Sequence, residues 1–210
     1  MAKTKELKLN IACGQLCEDG WTGIDIVKCK AAPPIRDEND KIIRKFKDVD
    51  IVHDLNKYPW PIKSNSVDEA YISHYVEHIP MGYMQPNGEV TIIPKSLKAK
   101  ELFFCFYDEL CRILKKGAKC TVIGPYYSSI RCWQDPTHRR TIGDTTFLYL
   151  NKKWREDNKL DHYNCTCDFD YSYGHVVNPP WNMKSEEARN FAIQHYNNSV
   201  SDIQVTLVKR

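Results

Sequence analysis

Three short apolar runs in the first quarter of the chain each end in residues able to hold a ligand. Leu9-Asn10-Ile11 runs into Ala12-Cys13-Gly14, where a glycine lets backbone approach a ligand closely. Trp21-Thr22-Gly23-Ile24 runs into Asp25-Ile26, and a carboxylate there can accept both hydroxyls of a ribose. Val49-Asp50-Ile51-Val52-His53 runs into Asp54-Leu55, which pairs an acidic side chain for an adenine amino group with an apolar one for its face. A single strand-terminal Asp is most often a cap or a turn residue. The ordered series of glycine turn, Asp and Asp is the stronger signal.

A dinucleotide would need a G-x-G-x-x-G turn opening a helix, whereas this turn has one glycine followed by Gln15-Leu16-Cys17. That count disfavours a nicotinamide enzyme. Without a pyrophosphate cradle, a nucleoside carrying no phosphate fits better, and S-adenosylmethionine is one. Farther along, Asp135-Pro136-Thr137-His138-Arg139-Arg140 combines an acid and an imidazole that can orient or deprotonate an oxygen or nitrogen nucleophile. The bland reading is an Asp-Pro turn with His138 bonded internally. Tyr126-Tyr127 either walls the site or packs.

The elements that must position these groups follow from periodicity. Strands are expected over 8–12, 21–26, 49–54, 66–73 and 119–124, with later ones near Tyr163 to Val177 and from Ile203 to Val208. Leu102, Phe103, Phe106, Leu110, Ile113 and Leu114 recur at helical spacing, which predicts a helix over 98–114 capped by Gly117. A turn of helix follows the fourth strand through Glu77-His78-Ile79, and Ser185 caps a helix reaching about Tyr196. Residues 28–48 read as a loop with one exposed helical turn. Strands alternating with helices predict an α/β protein with a largely parallel sheet. One domain spanning 1–210 is expected, with insertions around 81–97 and 125–162.

Composition narrows the class. The chain has 210 residues, 42% of them hydrophobic, and a net charge of +3, which excludes disorder and falls short of a dedicated nucleic-acid binder. No apolar run approaches the ~18 residues of a membrane span, so no membrane partner is expected. Nine irregularly spaced cysteines without an export signal point to reduced thiols and a cytoplasmic protein.

In combination, several segments resemble class I S-adenosylmethionine-dependent methyltransferases, specifically small bacterial and phage-type members. They are Leu9–Gly14, Gly20–Asp25, His53-Asp54-Leu55 with Pro59-Trp60-Pro61, Ser66–Glu69 and Glu77-His78-Ile79. Asp108–Gly117 and Gln134–His138 continue the likeness, which covers roughly residues 7 to 140. The resemblance implies a Rossmann-like, mostly parallel seven-stranded sheet with an antiparallel last strand. It implies S-adenosylmethionine as cofactor, with Ala12, Cys13 and Gly14 at its methionine part, Asp25 and Ile26 at the ribose, and Asp54 and Leu55 framing the adenine. Ser73, His74 and Tyr75 would face the sulfonium and substrate. This sequence departs from the family at Ala12, where the first glycine of the turn is usual. It also leaves only Cys13 to Trp21 between the first two strands, so the first crossover helix must be reduced.

The expected activity is methyl transfer to an unidentified polar acceptor (small molecule, nucleotide or nucleic acid), with His138, Asp135 and Tyr126 as catalytic candidates. The alternative is a non-catalytic module of the same fold, accessory to nucleic-acid modification. Arg131, Arg139, Arg140, Lys152, Lys153 and Arg155, interleaved with Tyr127, Trp133, Tyr149 and Trp154, give the segment 131–155 a basic and aromatic character that can stack nucleic-acid bases or simply face solvent. Asn178-Pro179-Pro180-Trp181 looks like a motif of adenine amino-methyltransferases but falls about a hundred residues too late, so a turn is expected. Cys165-Thr166-Cys167 with His162 lacks zinc-site spacing, and no metal is expected.

Overall fold

The computed structural model describes residues 6–210. Seven strands form the main sheet: β1 (Lys8–Ile11), β2 (Thr22–Asp25), β3 (Ile51–Val52), β4 (Val67–Ser73), β5 (Leu114–Pro125), β6 (Phe169–Val177) and β7 (Val200–Lys209). Their order is β6-β7-β5-β4-β1-β2-β3. β1 to β5 are parallel, while β7 is antiparallel to both β5 and β6. The expected sheet is present, and its antiparallel last strand lies one place in from the edge. Strand order reverses between β1 and β4, which puts the ligand crevice of an open parallel sheet beyond their carboxyl ends.

Strands buried on both faces read as apolar runs. Leu9 and Ile11 of β1, Val67 and Ile72 of β4, and Cys120 of β5 are fully buried. The chief helix, α1 (Leu102–Ile113), packs Phe106, Leu110 and Ile113 into the same core. Each large side chain so buried stabilises the fold by roughly 1.5–3 kcal/mol. The Glu101 side chain caps α1 by accepting the Phe103 N–H, so the helix starts later than periodicity alone suggests. It also stops before Gly117: Leu114 is already extended and pairs with Val67. Gly117, at φ +78°, sits in the irregular stretch where β5 shifts register, and does not cap the helix. Three shorter helices follow: α2 (Ile130–Trp133), α3 (Lys152–Asp157) and α4 (Glu186–His195), the last capped by Ser185 as expected.

The first crossovers contain no helix. Residues 12–21 hold only the short strand Cys17–Glu18, which pairs with Phe46–Lys47 from the next connection. The helical turn expected within 28–48 is instead a hairpin of Ile35–Arg36 and Ile42–Arg44. Asp37 decides this, because its carboxylate accepts the N–H groups of Asn39 and Lys41 and closes a turn with Asp40 at φ +64°. In the segment around 81–97, Tyr83–Met84 pairs with Val90–Thr91 and with Lys100–Glu101 to make a small antiparallel sheet.

A buried carboxylate ties the β3–β4 connection to α1. Glu109 accepts the Trp60 backbone N–H at 2.5 Å and two donors of Arg112, Nε at 2.8 Å and Nη2 at 2.6 Å. The Trp60 indole packs edge-on against Phe106, and its N–H donates to the Leu55 carbonyl. Replacing Glu109 by Ala orphans a buried N–H and should cost about 1–3 kcal/mol. Glu109→Gln, which keeps an acceptor, should cost less than half as much; urea midpoints of the two variants check this.

Candidate active site

The turn after β1 is left-handed at Ala12 (φ +55°) and Gly14 (φ +51°). Ala12 and Cys13 both direct their N–H groups at the Ile24 carbonyl, so the turn is held to β2. The Gly14 N–H donates to Asp25 Oδ2 at 2.8 Å, and Val27 N–H donates to Oδ1 at 3.2 Å. Each Asp25 oxygen therefore accepts one backbone donor and retains a further lone pair. The position a Cβ would take on Gly14 is open, with no atom within 4 Å. These features fit a ligand that lies against the turn and offers hydroxyls to Asp25.

Asp54 lies two residues beyond β3, where Oδ1 accepts the backbone and side-chain amides of Asn56. Burial, and then the neighbouring carboxylates of Asp54 and Asp25, push the Tyr75 phenol up. Ile26 is exposed beside them, whereas the Leu55 side chain is only 3% exposed and packs into the core. The hydrogen bond shared with Cys17, followed by burial, raises the Cys13 thiol and keeps it protonated. A Cβ on Gly23 would stand 2.7 and 2.8 Å from the Cys17 and Cys13 sulfurs, so only glycine lets both thiols pack against β2.

The other half of the edge is built by the end of β4 and the loop after β5. Past Ser73, His74 adopts φ +53° and donates its N–H to the Ile123 carbonyl, which turns the chain into a single 3-10 turn, Val76–His78. That turn buries Glu77 completely. Neither Glu77 carboxylate oxygen has a hydrogen-bond partner among the described residues. His74 Nδ1 lies 3.3 Å from Oε1 outside hydrogen-bonding geometry, and His138 Nε2 lies 4.0 Å from the same oxygen.

The histidine tautomers follow from their partners. His138 Nδ1 is 2.9 Å from the Cys132 carbonyl and must donate to it, leaving the lone pair on Nε2. Asp135 Oδ1 accepts both the hydroxyl and the N–H of Thr137, which hold its carboxyl below the usual range. With its one proton given to Asp135, Thr137 Oγ1 accepts from His78 Nδ1 at 3.1 Å, so the His78 lone pair is also on Nε2. The His78 and His138 rings meet edge-on at 4.7 Å. Arg139 and Arg140 clamp the loop by donating their backbone N–H groups to the Glu77 carbonyl.

The structure thus brings His138 and Asp135 together, and adds Glu77, His78 and Thr137, which had no assigned chemistry. The spacing His74-x-x-Glu77-His78 carried a usable signal, since residues three and four apart share a face of a helical turn. Tyr126 belongs to a different cluster. It is 2% exposed and packs edge-on against His175, which contacts Asp144 at 2.7 Å; burial and then Asp144 push its phenol up.

The remaining sequence signals resolve structurally. Asn178 donates its side-chain amide to the Asn198 carbonyl, and Trp181 stacks on Tyr196, so the Asn-Pro-Pro-Trp segment makes a turn. Arg155 is buried and donates to the carbonyls of Tyr149, Cys165 and Cys167, Arg140 pairs with Glu101, and Arg131 pairs with Asp202. The segment 131–155 presents less free positive charge than its composition implies. All nine cysteines are free. Among the described residues no helix is long and apolar enough to cross a membrane.

No protein-family model matches the sequence, and no curated protein does. Solved structures match the fold. An S-adenosylmethionine-dependent methyltransferase from Archaeoglobus fulgidus aligns with a TM-score of 0.53 at 16% identity, covering 99% of this chain and 87% of that one. The fold is that of a class I methyltransferase. A Listeria monocytogenes protein assigned as an S-adenosylmethionine-dependent methyltransferase aligns with a TM-score of 0.50 at 11% identity, covering 99% of this chain and 92% of that one.

Gly124 is the contact through which this methyltransferase-like sheet admits Glu77. A Cβ there would meet Ile142 Cδ1 at 2.8 Å and Glu77 Oε2 at 3.3 Å. Gly124→Ala should therefore destabilise the protein by about 1–3 kcal/mol through overpacking, read as a lowered thermal midpoint.

Proposed function

We propose that the protein is an S-adenosylmethionine-dependent methyltransferase of the small bacterial and phage type, acting on a polar acceptor. The observation that carries this reading is the division of one carboxyl edge. Gly14, Asp25, Asp54 and Tyr75 gather on one side, and the His74, Glu77, His78 and His138 cluster lies on the other.

The bound cofactor supplies an electrophilic methyl group on a sulfonium. Gly14, with Ala12 and Cys13, offers open backbone to its amino-acid part. Asp25 has one lone pair left on each oxygen for the ribose hydroxyls. Asp54, together with the exposed Ile26 and the chain at Leu55, borders the adenine side. Ser73 ends β4 and is followed by His74 and Tyr75, one in each half, and these three would border the methyl group of a bound cofactor.

Transfer is an in-line displacement, so holding nucleophile and methyl in contact is the protein's main contribution. On the acceptor side, His138 has its Nδ1 proton fixed by Cys132 and its Nε2 lone pair available to take a proton. Asp135 Oδ2, 3.9 Å from Nε2, favours the resulting imidazolium. Of the basic groups of 131–155, Lys152 and Lys153 pair at the surface with Glu156 and Asp157, which leaves Arg139 with the exposed Trp133 for an anionic or nucleic-acid acceptor.

Calorimetric titration with S-adenosylmethionine tests the cofactor assignment. Asp25→Ala should bind it roughly ten- to hundredfold more weakly, the loss of charge-assisted hydrogen bonds of about 1.5–3 kcal/mol. Unchanged affinity in the folded variant refutes the ribose site. For the acceptor half, a labelled-methyl screen over metabolites, nucleotides and nucleic acids identifies a substrate. With it, His138→Ala should lower turnover by ~10²–10⁴-fold while cofactor affinity stays near wild type.

A further inference from the structure

Glu77 poses an energetic problem that the methyl-transfer reading leaves open. A fully buried carboxylate with neither oxygen hydrogen-bonded is among the most costly arrangements in a protein interior. Buried charges are normally paired or bound to a metal. Around Glu77 stand His78 and His138, and one donor atom from each of the three residues lies within 4.8 Å of the others. Both imidazoles have their Nδ1 protons committed, His78 to Thr137 and His138 to Cys132, so each retains an Nε2 lone pair. Orientation of a ligating imidazole by a hydrogen bond from its other nitrogen is the usual outer arrangement of a metal site.

We propose that Glu77, His78 and His138 form a binding site for a divalent first-row transition ion of the zinc, cobalt or manganese type. Two imidazoles and one carboxylate suit such an ion better than magnesium or calcium, which prefer all-oxygen sets. Ligands at about 2.0–2.1 Å around a tetrahedral ion stand about 3.3 Å apart, so the three side chains must draw in by up to about 1.5 Å on binding. Three protein ligands leave a coordination position open, as catalytic sites do. An ion held there would belong to the acceptor half of the edge, where it would bind an acceptor oxygen and make it more acidic. In the ion-loaded protein the His138 lone pair would hold the ion and the acceptor proton would pass to the nearby Asp135 carboxylate or to solvent, so His138 serves as the base only in the ion-free protein.

A second cluster, Asp108 with Cys165 and Cys167, lacks this signature. Its carboxylate already accepts the N–H groups of Thr166 and Cys167 and pairs with Lys100.

The test is a Co²⁺ titration of the reduced, cofactor-free protein followed by visible absorption, so it stands apart from methyl transfer. One equivalent should bind with ligand-field bands and no near-ultraviolet thiolate charge-transfer band. Glu77→Gln and His78→Ala, each shown folded by circular dichroism, should bind at least about tenfold more weakly. His78 is only half-buried, so its variant keeps the test open if Glu77→Gln does not fold. Failure of the wild type to take up Co²⁺, a thiolate band in its place, or unchanged affinity in either folded variant overturns the site.

Discussion

Parallel pairing from β3 through β5 governs the molecule. Parallel neighbours force each connection to carry the chain back to the start of the next strand, so every strand releases its following residues at the same edge. Gly14, Asp25, Asp54, His74 and Tyr126 reach that edge from five successive strands. A crossover of this kind normally contains a helix, and here the first ones contain none. They brace one another instead. Cys17–Glu18 pairs with Phe46–Lys47, the Ala32 N–H reaches the Gln15 carbonyl, and Asn10 reaches from β1 to the Leu16 carbonyl.

The two halves of the edge differ in how their acids are satisfied. Asp25 accepts the N–H of Gly14 in the turn after β1 and of Val27 in its own, and Asp54 accepts that of Asn56, which fixes these turns and leaves further lone pairs. Glu77 is enclosed by side chains that approach without bonding it. His74 makes this possible. A non-glycine residue at φ +53° is uncommon, and its N–H bond to Ile123 holds it there while the following turn swings Glu77 inward. Gly124, lacking a side chain, clears the wall on the other side.

Much of this was legible in the sequence. Asp25 at the end of β2, the glycine turn and the apolar stripe of α1 each depend on local spacing and lie where spacing puts them, whereas β3 stops at Val52 and leaves Asp54 two residues past its end. Gly117 resembles a cap in sequence, whereas pairing of Leu114 with Val67, a contact distant in sequence, decides where α1 ends. The hairpin over 35–44 was missed because Asp37 and Asp40 suit a polar loop equally well until the side-chain bonds of Asp37 are seen. Glu77 and His78 are legible in sequence as a helical turn but not as a site, since nothing local tells whether a charged pair is swallowed or exposed. Tyr126 and His138 both follow β5 and so read as neighbours in sequence, but Tyr126 packs on His175 while His138 turns to the Cys132 carbonyl.

The helix-free crossovers also shape how the chain reaches its native state. Helices form from contacts three and four residues apart, and such local contacts speed folding. Here β1 must find β4, with Leu9 opposite Ala70, and β5 must find β7, with Cys120 opposite Leu207. Among the described residues of the first hundred, the local pairing is confined to two short hairpins, over 35–44 and 83–91, and neither belongs to the main sheet. The β1–β4 and β5–β7 pairings join residues more than sixty positions apart, so the contacts that assemble the sheet are predominantly non-local, and folding should be slow for a chain of this size.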